Sequence, residues 1–405
     1  MAVRGMTDHL EFGKRVRFYR KRRGMHQRQL GELLGRSEDW VYRVESGRIP
    51  VNNVKMLADL ADALRVHLED LQGTPVLLED SDGFAASVPA IRAALMQSRR
   101  LAGSLIAGRE PLRLELLEME VGAAWELYQA GEFAALADRL PRLLADARSA
   151  MNEWTSGDER RDALRLFALA CHVAAALLRK LGETNLAWTA ADQGEIAALE
   201  SEDTGAILSL RRGIAHVQLG ANLAAEAVQS TLDSADELER GWWQSSPVAL
   251  SLYGTLFLNG SIAAARMRNR ELTTYMIGKA NEAAERLGTD SNEMWTAFGP
   301  ANVGIHQLAT ALEFEDYQRA VDIAPTVRAV GLPKERRARL RLDVARAYGE
   351  AGRTDDAVDN LKRAYTTAPE QMRAHEFARD LARRLHKRTQ RRDAQQLAVA
   401  LGAIG

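Results

Sequence analysis

Basic side chains are concentrated at the start of the chain, where they could neutralise a polyanion. Eight lysines and arginines and no acidic residue fall within the stretch from Lys14 to Arg28. Affinity for DNA comes largely from such charges, because each phosphate contact releases counterions. The alternative interpretation is a solvated helix face, and the pattern does not single out the residues that would touch phosphates.

The distribution of charge along the whole chain points in the same direction. The chain has 54 basic and 55 acidic residues and a formal net charge of −1. Residues 1–55 hold 13 basic and six acidic residues, so a basic head precedes an acidic body. This asymmetry places a polyanionic partner, double-stranded DNA, at the head.

Signatures of catalysis and of metal binding are missing from the sequence. His375-Glu376 is not followed by the second histidine of a zinc protease motif, and Gly278-Lys279 lacks the flanking residues of a phosphate-binding loop. The single cysteine, Cys171, can form neither an intrachain disulfide nor a zinc site. We therefore predict no enzyme activity, no cofactor and no metal.

Nothing in the sequence indicates export or a membrane span. The first 25 residues carry several basic side chains but no long apolar segment, and the apolar run from Leu166 to Leu178 is too short to cross a bilayer. A single cysteine suits a reducing compartment. We expect a cytoplasmic, nucleoid-associated protein with no membrane partner.

The first 72 residues are predicted to form five short helices. Three of them end at glycines, Gly24, Gly35 and Gly47, and Ser37 is a good N-cap for the third. The predicted spans are about 10–23, 27–34, 37–47 and 54–64, with a fifth helix near residue 68. Apolar residues recur at helical spacing and can close one small core. They are Leu30, Leu33, Leu34, Val41, Val44, Leu57, Leu60 and Leu64.

Two helices joined by a tight glycine turn have the helix-turn-helix geometry, in which the second helix can lie in a major groove and read base edges. The stretches from Gly24 to Ser37 and from Val41 to Arg48 resemble the phage-repressor or XRE family. This resemblance implies roles for individual residues. Gln27 would bond a DNA phosphate, and Arg20 and Glu45 would form a structural ion pair between the first and third helices. The residues implied at the DNA interface are Gln27, Arg28, Glu38, Asp39, Tyr42, Arg43 and Arg48.

Two of these residues depart from the family's usual pattern. Glu38 and Asp39 are acidic, and acidic side chains can accept from a cytosine amino group but repel phosphates. They therefore either touch a base or only cap the third helix. Arg43 has the long, planar guanidinium that suits a bidentate contact with guanine.

Beyond a turn-rich, acidic linker over residues 73–87 and a connecting helix over about 89–101, the chain becomes a series of helix pairs. The segment from Leu342 to Pro369 follows tetratricopeptide spacing, with small residues where two helices approach closely. Turns fall near Gly131, Gly182, Gly220, Asn269, Glu315 and Gly352. Their intervals exceed the roughly 34 residues of a standard tetratricopeptide, so the repeats are divergent. A basic C-terminal helix is expected to cap the array rather than bind DNA.

The whole arrangement resembles actinobacterial XRE regulators with tetratricopeptide-like C-terminal halves and, more distantly, the peptide-pheromone regulators of Gram-positive bacteria. That resemblance implies a groove for a ligand or partner. Polar residues at helical spacing on apolar first helices predict one face of such a groove. They are Arg165, His172, Arg179, Arg212, His216, Asn259, Arg266, Asn302 and His306. Tyr253, Trp295 and Phe298 could supply apolar walls, with Trp295 across one end. The alternative is that these residues bond neighbouring repeats or face solvent.

The sequence thus predicts an all-α protein with a five-helix helix-turn-helix domain at 1–72, a linker and connecting helix at 73–110, and a tetratricopeptide-like α-solenoid at 111–405. We expect a sequence-specific, DNA-binding transcriptional regulator that acts as a homodimer. Its repeat domain would sense a peptide, a small molecule or a partner protein. The alternative is a protein-interaction scaffold with a DNA-tethering head.

Overall fold

The computed structural model describes residues 12–17, 19–21, 25–51, 54–64, 71, 84–96, 112–239 and 246–404. The chain divides into two compact units, residues 1–79 and 80–405. Within the described residues both units are built from helices, and the only β pairing is an isolated bridge between Ser291 and Phe298. The prediction of an all-α fold is confirmed.

The first unit is a small helical bundle. Residues 12–17 and 19–21 are helical and are called α1, and α2 (Gln27–Leu33), α3 (Glu38–Glu45) and α4 (Val54–Leu64) follow. The predicted fifth helix lies outside the described residues, except that Leu71 is helical. The buried core consists of Val16, Leu30, Val41, Val44, Leu60, Ala61, Leu64 and Leu71.

One predicted core residue of this unit is wrong. Leu33 is 61% exposed, whereas Leu30 is fully buried and Leu34 is half-buried against the core. Because α2 has only two turns, Leu30 and Leu34, four residues apart, occupy its inward face. Leu33 is left on the solvent side of the same helix.

The second unit begins with α5 (Phe84–Met96) and continues as six helix pairs. The pairs are α6 (Leu114–Ala130) with α7 (Phe133–Glu153), α8 (Gly157–Lys180) with α9 (Thr184–Ser201), α10 (Thr204–Gly220) with α11 (Ala224–Glu239), α12 (Pro247–Arg266) with α13 (Arg270–Leu287), α14 (Pro300–Glu313) with α15 (Tyr317–Ile323), and α16 (Lys334–Glu350) with α17 (Thr354–Thr367). Three further helices close the chain: α18 (Pro369–Ala374), α19 (Glu376–Arg388) and α20 (Arg392–Ala400).

Each of the six pairs turns through one residue in the left-handed conformation. These residues are Gly131, Gly182, Asn222, Arg268, Glu315 and Gly352. A left-handed residue directly after a helix satisfies the last carbonyl groups and reverses the chain. The recurrence of this device at every turn shows that the pairs are repeats of one unit, although three of the six residues are not glycine.

The helix α5 begins earlier than predicted and belongs to the repeat unit. It starts at Phe84 and contains Pro89 in its interior. Ser87 Oγ donates to Asp138 Oδ1 over 2.5 Å, and Gln193 Nε2 donates to the carbonyl oxygen of Leu95 over 2.9 Å. These bonds fix α5 to the first two repeats.

The array of repeats closes on itself. Lys180 Nζ at the end of α8 lies 2.5 Å from Glu335 Oε1 at the start of α16, and both side chains are buried. The backbone N–H of Ala134 in α7 donates to Glu370 Oε2 in α18 over 2.8 Å. The last repeat therefore returns to the first two, so that the first helices of the pairs surround an interior.

The C-terminal helices cover the end of the array. Their basic side chains bond the repeat beneath them, because Arg384 Nη1 lies 2.7 Å from Glu350 Oε1 and Arg391 Nη2 lies 2.5 Å from Asp359 Oδ1. Arg388 donates to the carbonyl oxygen of Gly349. These three arginines are thus used within the fold, as a capping role requires.

The helix α12 lies at the centre of one hydrophobic core of the second unit. Within the described residues it is the one helix long and apolar enough to cross a membrane, and most of it is buried among the other repeats. The ring of Phe298 lies against Gly254, where an added Cβ would approach Cζ to 1.9 Å. This contact seats the segment before α14 on α12.

We expect Gly254→Ala to lower the free energy of unfolding by about 2 kcal/mol, because the methyl group must displace a fully buried ring. Gly278→Ala is the matched control, since Gly278 is also inside a helix but nothing lies within 4 Å of an added Cβ. There the change should raise stability by roughly 0.5–1 kcal/mol. Chemical denaturation of both variants measures the difference, and equal effects would contradict this packing.

Candidate nucleic-acid interface and interior polar cluster

The helix α3 presents one polar, exposed face. Ser37 Oγ accepts from the backbone N–H of Trp40 over 3.1 Å and so begins the helix. Val41, Val44 and Glu45 are buried, whereas Glu38, Asp39, Tyr42 and Arg43 are exposed. Glu38, Asp39 and Arg43, the residues predicted to face bases, therefore lie with Tyr42 on the outward side of α3, and Ser37 is the N-cap as predicted.

The turn between α2 and α3 is tight because Gly31 has no side chain. An added Cβ would lie 2.7 Å from the carbonyl oxygen of Arg36, which is too close for a carbon atom. The backbone N–H of Arg36 donates to the carbonyl oxygen of Gly31 over 2.8 Å. The two helices are thus held at a fixed angle through backbone contact.

Arg20 and Glu45 anchor α3 to α1. Arg20 Nε lies 2.5 Å from Glu45 Oε1, Arg20 Nη2 lies 3.0 Å from Glu45 Oε2, and both side chains are almost fully buried. Arg20 also donates to the carbonyl oxygen of Met25 over 2.6 Å. Gln27 Nε2 donates to Glu45 Oε2 over 2.7 Å, so the side chain predicted to reach a phosphate is here part of the same network.

The remaining predicted interface residues are exposed and make local contacts. Arg28 pairs with Glu32 at 3.0 Å. Arg43 Nη1 lies 3.8 Å from Asp39 Oδ2, and the guanidinium of Arg48 lies over the ring of Tyr42. Ion pairs this exposed are worth little, so these arginines can exchange their partners for a phosphate or a base at small cost.

Most of the predicted groove residues lie on the first helices and are buried. His172, Arg212, Asn259, Asn302 and His306 belong to α8, α10, α12, α14 and α14, respectively. Two of these helices are joined by the bond from Asn259 Nδ2 to the carbonyl oxygen of Arg212, over 3.3 Å. The structure therefore brings these five residues to the interior of the closed array.

Arg266 does not share this position. Its Nη1 donates to the carbonyl oxygen of Leu219 over 2.7 Å, and its Nε lies 3.5 Å from Glu313 Oε1. It joins neighbouring repeats, which is the alternative role considered for it.

A set of polar residues from five first helices faces the interior, and we call it the interior cluster. It comprises Tyr128, Arg179, Arg212, His216, His306 and Arg336. Burial and then the charges of Arg179, Arg212 and Arg336 lower the pKa of His216 far below its ordinary value. Burial and then the charge of Arg336 lower the pKa of Arg212 to about 10, so the guanidinium remains charged at neutral pH.

Tyr128 and His306, two further members of the interior cluster, are neutral at pH 7. Burial raises the pKa of Tyr128 to about 12, which leaves its hydroxyl as a neutral donor. Burial and Arg336 lower the pKa of His306 to about 3. His306 Nδ1 lies 2.9 Å from the carbonyl oxygen of Asn302, and it carries the proton because a carbonyl oxygen can only accept. The interior cluster therefore consists of three cations and three neutral groups.

The segment before α14 reaches across to the first repeat. The ring of Trp295 is stacked on that of Trp125, with centroids 5.3 Å apart, and Trp125 packs edge-on against His172. Gln129 exchanges hydrogen bonds with the side-chain amide of Asn292, both over 2.9 Å. Trp295 thus lies beside the interior cluster, as a wall expected from its position before the helix at Pro300.

Two members of the interior cluster escape the sequence prediction, namely Tyr128 and Arg336. Arg336 stands in a run of charged residues at the start of α16 that is typical of a solvated helix face. Only the return of α16 to the first repeats turns this face inward. The expected apolar walls Tyr253 and Phe298 are instead fully buried in the core around α12.

Residues 11–72 match the family model described as a helix-turn-helix domain. The first unit contains a helix-turn-helix domain. A comparison with curated protein sequences finds no match.

Two solved structures of regulators show a distant likeness. The crystal structure of Bacillus thuringiensis PlcR in complex with the peptide PapR7 and DNA is 14% identical, covers 78% of this chain and 95% of that chain, and has a TM-score of 0.32. The structure of a PrgX mutant is 10% identical, covers 96% of this chain and 99% of that chain, and has a TM-score of 0.29. At these TM-scores neither likeness carries an argument about the ligand of this chain.

We expect Arg20→Met to destabilise the helix-turn-helix domain by about 3–5 kcal/mol, because Glu45 would be left buried without its cation. The double variant Arg20→Met, Glu45→Leu should recover most of this loss, since it removes both charges. Hydrogen exchange of the amides of α1–α3 in the full chain measures the opening free energy. A loss below about 1 kcal/mol in the single variant, typical of an exposed pair, would contradict the anchoring role.

The stability of the repeat unit should fall on acidification through His306. Between pH 6.5 and about 3 the unfolded chain binds a proton at this residue and the folded chain does not, so unfolding becomes easier as pH falls. The contribution is about 1.4 kcal/mol per pH unit. His306→Gln should flatten the pH dependence of the unfolding free energy between pH 6 and 4 by that amount. The control Arg328→Gln, at an exposed residue, should keep the original slope, and equal slopes in both variants would contradict the prediction.

Proposed function

We propose that the protein is a sequence-specific DNA-binding transcriptional regulator in which α3 reads base edges. The observation that supports this most directly is the exposed polar face of Glu38, Asp39, Tyr42 and Arg43 within a helix-turn-helix domain. A helix that reads DNA must keep its position in the groove, and the buried pair of Arg20 and Glu45 provides that rigidity.

In this proposal Gln27, Arg28 and Arg48 contact phosphates. They lie in α2 and just beyond α3, and the head that carries them has an excess of basic residues. Phosphate contacts position the protein, whereas contacts with bases specify the sequence. Gln27 can serve both its buried partner and a phosphate, because its amide has two N–H donors and Glu45 uses one of them.

We assign residues 1–72 to DNA binding, 73–110 to the connection and 111–405 to ligand sensing and dimerisation. A helix-turn-helix protein commonly binds as a dimer, with two half-sites about 34 Å apart, because one recognition helix reads only a short sequence. The polar, buried interior of the repeat unit supports a sensing role, since closed arrays of helical repeats use their inner surface for binding.

The test is selection of a binding sequence from random duplexes, followed by titration of the selected and a scrambled duplex. Arg43→Ala should weaken binding to the selected duplex by about 1–3 kcal/mol and leave the scrambled one nearly unchanged, because it removes a base contact. Gln27→Ala should weaken both duplexes similarly. Native mass spectrometry of the complex should show two chains per selected duplex.

Arg328→Ala is the matched control, since it removes an exposed arginine of the repeat unit. It should bind both duplexes like the unmodified protein. Equal losses on the two duplexes for Arg43→Ala would contradict base reading by α3. In that case the head would only tether the chain to DNA, and the repeat unit would act as an interaction scaffold.

A further inference from the structure

Arg212 is a buried cation whose guanidinium is incompletely bonded. Its side chain is about 5% exposed, and within the described residues neither Nε nor Nη2 has a hydrogen-bond partner. Buried guanidinium groups are normally neutralised and fully hydrogen-bonded, because removing a charge from water is costly. Such an arrangement persists when a group outside the chain completes it.

The two buried acidic residues of α16, Glu335 and Asp343, are already paired with other cations. Glu335 pairs with Lys180 at 2.5 Å and accepts from Gln371, while Arg336 Nε lies 3.8 Å from its second oxygen, beyond hydrogen-bond distance. Asp343 accepts two bonds from Arg339, over 3.1 and 3.0 Å. Glu335 is thus shared between Lys180 and Arg336, and its single negative charge does not balance the charges of Lys180, Arg179, Arg212 and Arg336.

The neighbours of these arginines add further donors. Trp125 Nε1 and Asn302 Nδ2 are buried and, among the described residues, have no hydrogen-bond partner. Asn302 is about 1% exposed and lies one helical turn before His306. A buried interior that combines unbalanced cations with unused N–H donors is suited to oxygen atoms that carry negative charge.

We propose that the interior cluster binds the carboxylate or phosphate group of a small molecule, with Arg212 and Arg336 as the residues that hold its oxygens. The planar guanidinium forms two parallel bonds with either group. The stacked rings of Trp125 and Trp295 lie alongside and offer an apolar surface to the rest of the molecule. The anion site is argued independently of DNA binding, and only the role of the bound molecule as the ligand of a regulator rests on the proposed function.

The experiment uses the full chain and three probes: inorganic phosphate, acetate and, as a neutral match for acetate, acetamide. Thermal unfolding is followed at constant ionic strength and pH 7.5 in the unmodified protein and in Arg212→Gln, Arg336→Gln and Arg328→Gln. At least one anion should raise the Tm of the unmodified protein and of the Arg328→Gln control, with an apparent Kd that rises tenfold or more in the two cluster variants. Acetamide should have no such effect.

The Tm without any probe gives a second readout. Because Arg212 is an unbalanced buried charge, Arg212→Gln should leave this Tm unchanged or raise it. A structural arginine would behave in the opposite way, since its loss would orphan its partners. A clearly lower Tm in Arg212→Gln, or the same anion effect in all four proteins, would overturn the proposal.

The comparison of phosphate with acetate identifies the group. A preference for phosphate assigns a phosphorylated ligand, and a preference for acetate assigns a carboxylate; either supports the site. Stabilisation of all four proteins to the same extent is the general effect of an excluded salt and contradicts a site.

Titration of the selected DNA duplex separates this inference from the proposed function. If Arg212→Gln loses the anion effect but binds the duplex as before, the site and the regulator are both supported. If no variant binds any duplex with preference but the anion effect follows Arg212, the site stands and the proposed function fails. If DNA binding is specific and no anion acts, only the inference fails.

Discussion

The buried ion pair between Lys180 and Glu335 is the constraint on which the interior of the second unit depends. It joins residues far apart in the chain and, together with the bond from Ala134 to Glu370, holds the last repeat against the first two. Although burial opposes ionisation of Glu335, the charges of Lys180 and Arg336 hold its pKa at about 2. Burial lowers the pKa of Lys180 to about 8, so both groups are charged at neutral pH. The pair turns the open concave surface of a repeat array into an enclosed one.

Enclosure of the inner surface removes water from the polar side chains of the first helices, and this loss of hydration costs free energy. On an open surface His172, Arg212 and Asn302 would be hydrated, whereas here they are almost completely buried. The low pKa values of His216 and His306 follow from the same removal of water, reinforced by the neighbouring arginines. Neutral histidines add no positive charge to a region that already contains three arginines. The fold thus keeps the buried positive charge of the interior cluster to that of its three arginines.

The sequence predicts well wherever local chemistry decides the structure. Capping by Ser37 and the turn at Gly35 follow from local patterns, and the pair of Arg20 and Glu45 is what the family resemblance implies; the structure shows all three. Three of the repeat turns are found from their glycines at the correct residues, Gly131, Gly182 and Gly352. Prediction fails where contacts between residues far apart in the chain determine the position of a side chain. The inward turn of Arg336 and the stacking of Trp295 on Trp125 depend on closure of the array, to which no short-range pattern contributes.

The segment that carries Trp295 contacts the first repeat across the closed array, and its backbone is strained. Met294, Trp295 and Ala297 all have positive φ angles, a conformation that residues with a side chain rarely adopt. Such backbone strain persists only where the surroundings fix it, here the bonds to Gln129 and the stacking on Trp125. Opening the array would release this strain but would break the pair of Lys180 and Glu335. An anion bound to Arg212 and Arg336 would add attraction across the interior and favour the closed state. By linkage, an anion that binds the closed state more tightly shifts the equilibrium towards it, and any other contact that favours the closed state strengthens anion binding in turn. A bound molecule can act on the rest of the chain only through this difference in its affinity for the closed and the open state.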